Sequence, residues 1–125
     1  MAQLRKVGFL YNLPLEARRV ALRSMARESP DTDEDRIVNY LESGIACASV
    51  LLVEEDPLTD PPRLIGAPNV RTDGVWAWPE TLTYYVRHYH VALPPEFILH
   101  LSLNGWRCPP ECNVDGLSLE GEQPI

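Results

Sequence analysis

Residues 73–101, DGVWAWPETLTYYVRHYHVALPPEFILHL, constrain the fold of this chain more than any other stretch. They place a turn, an aromatic strand and two helix starts in one run. Asp73-Gly74 is a strong type I′ hairpin signal. Val75-Trp76-Ala77-Trp78 alternates, so Trp76 and Trp78 share one strand face. Pro79 and Pro95 stand at first-turn positions of two helices, where a missing N–H costs least. The spacing predicts a helix over 79–88 with Leu82, Tyr85, Val86 and Tyr89 as its core stripe. Tyr84, Arg87 and His88 point elsewhere. A following helix starts at Leu93-Pro94-Pro95-Glu96, turns Phe97, Ile98 and Leu101 inward, and stops at Gly105.

Upstream, residues 14–28 read as a helix with an apolar stripe of Leu15, Ala21, Leu22 and Met25 and a basic opposite side. Residues 31–44 read as a second helix, capped among Asp31, Thr32 and Asp33, with Ile37, Val38 and Leu41 inward and Gly44 at C′. The continuously apolar run 45–53, IACASVLLV, predicts a buried and central strand. Residues 54–62, with four acids and three prolines, read as a loop. Short strands are expected at 63–67 and 69–78. Because the strands cluster in the middle, the pattern is α+β rather than alternating βαβ: a small antiparallel sheet of about three strands packed with about four helices. Residues 1–107 form one domain on this reading, and 108–125 an acidic, Pro- and Gly-rich, flexible tail.

A chain of 125 residues buries enough surface to fold without a metal or disulfide. Its net charge is −7 and its pI about 4.8, which argues against nucleic acid as a partner and favours a basic protein. The charge is uneven: residues 31–60 hold nine acids against one Arg. Cys47 lies in an apolar run, and whether Cys108 and Cys112 pair is open from sequence. A reducing cytoplasm is the simplest compartment, since neither a signal segment nor a membrane-length apolar run is present. No cofactor or metal is expected.

Nothing local to the sequence spells a nucleophile, base and orienting group. His88 and His90 are spaced wrongly for a metal on one helix face, and Asp73 with Glu80 reads as a turn residue and a first-turn acid. Tyr84, Arg87, His88 and one of Trp76 or Trp78 instead suit an outer aromatic-cationic patch, the composition of interface hot spots. Asp31, Asp33, Glu34, Asp35, Glu54, Glu55, Asp56 and Asp60 suit an acidic face that steers a basic partner. The expectation is a non-catalytic binding protein. The rival readings are a small hydrolase pairing His88, His90 or His100 with an acid, and a homodimeric structural or regulatory subunit.

The segment Arg71-Thr72-Asp73-Gly74-Val75-Trp76-Ala77-Trp78-Pro79, with Leu82, Tyr84-Tyr85-Val86 and Leu93-Pro94-Pro95-Glu96-Phe97, resembles a pattern in small bacterial proteins akin to the immunity proteins of polymorphic toxin systems. The likeness covers about 30 of the 125 residues and rests on fold-forming positions, so it carries over no functional residue. It implies a small, acidic, cytosolic, non-enzymatic protein that blocks a toxin or nuclease by binding it.

Overall fold

The computed structural model describes residues 3–110 and the two strand residues 118–119. The elements run β1 (Gln3–Lys6), α1 (Leu15–Met25), α2 (Glu34–Glu42), β2 (Ile45–Ala48), β3 (Glu54–Glu55), β4 (Leu64–Gly66), β5 (Val70–Thr72), β6 (Trp76–Pro79), α3 (Leu82–Tyr89), α4 (Pro95–Leu103) and β7 (Ser118–Leu119). The architecture of the described residues is α+β, with four helices around a sheet ordered β2-β5-β6-β1-β7 and a separate β3–β4 ribbon. The sheet is mixed and larger than the sequence suggests. β1 runs parallel to both β6 and β7, with Arg5 opposite Trp76 and Gln3 opposite Ser118. The short run Gln3–Lys6 carries no alternation signal of its own; pairing with distant strands makes it a strand. Of the segment read as a flexible tail, residues 111–117 and 120–125, including Cys112, lie outside the described residues.

β6 is central, and all four of its residues are buried. Its alternation works on two faces at once. Trp76 and Trp78 enter the main core with Leu22, Val38, Tyr40, Leu41, Leu82, Tyr85, Phe97 and Leu101, while Ala77 joins Leu4 and Val70 in a smaller cluster. Phe97 stands edge-on to Trp76 with ring centroids 5.0 Å apart, and the Trp78 Nε1–H donates to the Leu41 carbonyl at 2.9 Å. Neither tryptophan therefore belongs to an outer patch: helices cover the face that carries both. Full burial of one such ring contributes roughly 2–3 kcal/mol.

Several local expectations change for physical reasons. Pro79 ends β6 opposite Val70, and α3 begins only at Leu82. At Asp73-Gly74, Gly74 alone has positive φ, at 96°, so the turn is not type I′. The Asp73 carboxylate shapes it instead, its Oδ1 accepting the Val75 and Trp76 amides at 2.9 and 2.8 Å. The apolar run 45–53 is not a central strand. β2 covers only its first four residues and lies at the sheet edge, while Leu51, Leu52 and Val53 are exposed. Residues 54–62 in turn are not simply a loop, since β3 begins there and Glu54, Asp56 and Pro57 are buried. Gly44 earns its place by contact rather than by φ: a Cβ there would meet Trp78 Cζ2 at 2.5 Å.

Candidate binding groove

The eight acids expected to form one charged face divide into three groups. Glu34, Glu54 and Asp56 are buried. Asp31, Asp33 and Asp35 meet arginines at the surface: Arg27 at 3.5 Å, Arg36 at 3.5 Å and Arg87 at 2.6 Å respectively. Glu55 and Asp60 are exposed and have no ion pair among the described residues. The acidic face of the sequence reading is thus much reduced, because most of its carboxylates already have partners within the chain.

The buried carboxylates anchor the β3–β4 ribbon. Glu54 accepts the Thr81 hydroxyl at 2.7 Å and the Tyr85 phenol at 2.5 Å. Asp56 accepts the phenols of Tyr84 and Tyr89 at 2.7 and 2.6 Å and the Leu58 amide at 2.9 Å. Burial first, and then the hydrogen-bonded carboxylate, pushes the Tyr84, Tyr85 and Tyr89 phenols above their usual range. A phenol that donates to a carboxylate must lose that bond, and place two negative charges together, in order to ionise.

Pinned in this way, the ribbon forms one wall of a groove of about 680 Å³. Ile65, Gly66 and Ala67 line that wall, Val38, Leu41 and Glu42 of α2 a second, and Tyr84, Arg87 and His88 of α3 a third. Three residues of the expected aromatic-cationic patch therefore do come together, since positions i, i+3 and i+4 share a helix face. The His88 ring stands edge-on to Tyr84 with centroids 4.0 Å apart. Arg87 is held by Asp35, whose hydrogen bond raises the guanidinium pKa further, and has Glu34 at 3.8 Å. Across the groove Arg71 bonds the Gly44 carbonyl at 2.7 Å and pairs with Glu80 at 3.3 Å. Glu42 is exposed and makes no ion pair among the described residues. Aromatic rim and fixed charges suit a polypeptide segment: the partly exposed Ile65 and Tyr84 offer apolar area, and the charged rim offers orientation.

Glu42, Ile65, Gly66, Ala67, Arg71 and Glu80 were not singled out as site residues by sequence. They reach the groove from four elements or their flanks, and no spacing rule links them. Arg71 and Glu80 carry the one available hint, lying on either side of the predicted hairpin.

Two histidines meet carboxylates, but outside the groove lining. His90 Nδ1 lies 2.7 Å from Glu34 Oε2, and His100 Nε2 lies 2.7 Å from Asp73 Oδ2. Both pairs act as clamps. His90 is the left-handed C-cap of α3, and its carbonyl accepts from Arg27 Nε at 2.8 Å. Asp73 Oδ2 also accepts the Tyr40 phenol at 2.6 Å, and Asn104 Nδ2 donates to that phenol at 2.8 Å. Burial, and next the bond to Asp73, raises the Tyr40 pKa. Among the described residues no group of three or more His, Cys, Asp or Glu converges as a metal ion requires, and no helix is long and apolar enough to cross a membrane. Comparison with known proteins finds no matching family model, no matching curated protein and no matching solved structure.

Proposed function

We propose that this chain is a non-catalytic binding protein that captures a partner protein in the groove between α2, the β3–β4 ribbon and α3, acting as an immunity-type inhibitor of a basic toxin or nuclease in the cytoplasm. The observation that carries the reading is the groove itself, where Tyr84, Arg87 and His88 stand across from Ile65. The net charge of −7 supports a basic partner, whose approach long-range attraction would speed. The test is a low-salt pull-down from native lysate on wild type and on the double variant Glu42→Gln/His88→Ala. A basic protein that salt releases and the variant fails to hold supports the reading. Equal retention by the variant refutes it.

A second reading, a hydrolase, draws on the His100–Asp73 pair at 2.7 Å. Against it, Asp73 already accepts two amides and a phenol, as a structural clamp does. Hydrolysis of ester or phosphodiester substrates that His100→Gln abolishes without lowering Tm would reverse this preference.

A further inference from the structure

In the β3–β4 ribbon the sequence Glu54-Glu55-Asp56 alternates in direction. Glu54 and Asp56 are 2% and 1% exposed and point to the phenols beneath, while Glu55 faces solvent. Leu64 is the residue directly opposite Glu55, so the two side chains share the outer face. The Asp56 amide donates to the Arg63 carbonyl at 2.8 Å, which makes Glu55 and Leu64 a non-hydrogen-bonded pair, the kind whose side chains lie closer. Leu64 is 66% exposed, Val53 just before the ribbon 59%, and Leu51 fully exposed. Chain connectivity keeps Leu51 within about 7 Å of Val53. The Glu55 carboxylate has no ion pair among the described residues.

The apolar run 45–53 thus ends on an exposed apolar edge with one uncompensated carboxylate beside it. Such a surface costs solubility unless something covers it. Glu54 and Asp56 fasten it to Thr81, Tyr84, Tyr85 and Tyr89 by four hydrogen bonds, so the ribbon is in place before a partner arrives. The same ribbon supplies Ile65 and Gly66 to the groove from its other side, so one element serves both surfaces. A second copy of this patch is a poor cover, because it presents the same residues and so offers the Glu55 carboxylate no cation.

We infer that the outer face of the β3–β4 ribbon is a preformed docking edge for a basic protein segment, whose apolar residues seat on Leu51, Val53 and Leu64 and whose Lys or Arg pairs with Glu55. The inference rests on the binding reading above and extends the contact beyond the groove. The probe is a phage-displayed library of short linear peptides, selected on the immobilised full chain. Affinities of the enriched peptides are then measured on wild type, on the ribbon variants Glu55→Lys and Leu64→Ser, and on the groove variant His88→Ala. All three changed residues are exposed, so Tm should hold.

The expected result is enrichment of peptides that carry Lys or Arg beside apolar residues, with affinity at least about tenfold weaker on each ribbon variant. Peptides weakened only by His88→Ala would overturn the docking edge and leave the groove reading standing. An empty selection, or peptides indifferent to all three changes, would overturn both. A wild-type dimer in light scattering that Leu64→Ser disperses would also overturn the inference, since a second copy would then cover the edge.

Discussion

Two acidic segments of this chain have nearly the same composition and opposite physics. Asp31, Asp33 and Asp35 surround the start of α2 and meet Arg27, Arg36 and Arg87 in solvent. Glu54 and Asp56 lie under the ribbon and accept four hydroxyl groups in the interior. The first segment offers charge to the helix dipole and to surface arginines, at contributions of a few tenths of a kcal/mol each. The second fastens an otherwise weak two-stranded ribbon to α3. Tyr84, Tyr85, Tyr89 and Thr81 make the difference, and they lie far along the chain from the acids they bind. An acidic run is therefore not a unit of function; its meaning depends on which donors the fold brings to it.

The sharpest way to break this comparison is Glu54→Ala. The Tyr85 phenol and Thr81 hydroxyl would stay buried without an acceptor, and stability should fall by about 3 kcal/mol in urea unfolding. Glu54→Gln keeps an acceptor and should lose less than half as much. Asp56→Ala should cost about 2 kcal/mol, because its two phenols are only half-buried and water can replace part of the network. A loss below 0.5 kcal/mol (roughly the surface-pair value) in either variant would erase the distinction between the segments.

Alkali sharpens the contrast from the phenol side. Tyr40 and Tyr85 are buried with pKa values raised above 10.0, so the unfolded chain releases their protons before the native state does. Stability from these groups is fully present below pH 10 and is lost as pH climbs through the interval up to the native value. The slope is about 1.4 kcal/mol per pH unit for each such phenol. Urea midpoints measured from pH 8 upward should begin to drop near pH 10, and tyrosinate absorbance should appear together with unfolding. Ionisation of all five tyrosines near pH 10 in a still-folded protein would contradict the buried networks. The smallest effect belongs to the surface segment: Asp33→Ala and Asp35→Ala should each change stability by no more than about 0.5 kcal/mol, and added salt should shrink even that.

The helices were legible because helical spacing is local. Leu82, Tyr85 and Val86 announce α3, and Ile37, Val38 and Leu41 announce α2, all of them buried. The strands were less so. β1 owes its existence to β6 and β7, and the run 45–53 reads as core by composition although the sheet takes only its first four residues. Trp76 and Trp78 were correctly placed on one face, but sequence could not say that this face was fully covered. Of the groove, the α3 edge with Tyr84, Arg87 and His88 followed from helix geometry, whereas the facing residues Glu42, Arg71 and Gly66 depend on tertiary docking. The pairing of acids with phenols was hidden for the same reason. Asp73 was read as a turn residue and is one, but its second oxygen also gathers Tyr40 and His100.

The position of β1 bears on how the molecule comes into being. This strand sits between β6 and β7, with Arg5 opposite Trp76 and Leu4 opposite Leu119. During synthesis it is therefore made long before either neighbour, and its amides and carbonyls wait in water until β6 has left the ribosome. Contacts between such distant residues close large loops and slow the search for the native state. The helical pair α2–α3 and the β5–β6 hairpin can assemble around Trp78 first, and the N-terminal strand then docks onto a platform already built. Its arrival closes the open side of β6, extends the β2-β5-β6 sheet by its parallel strand and sets the place for β7.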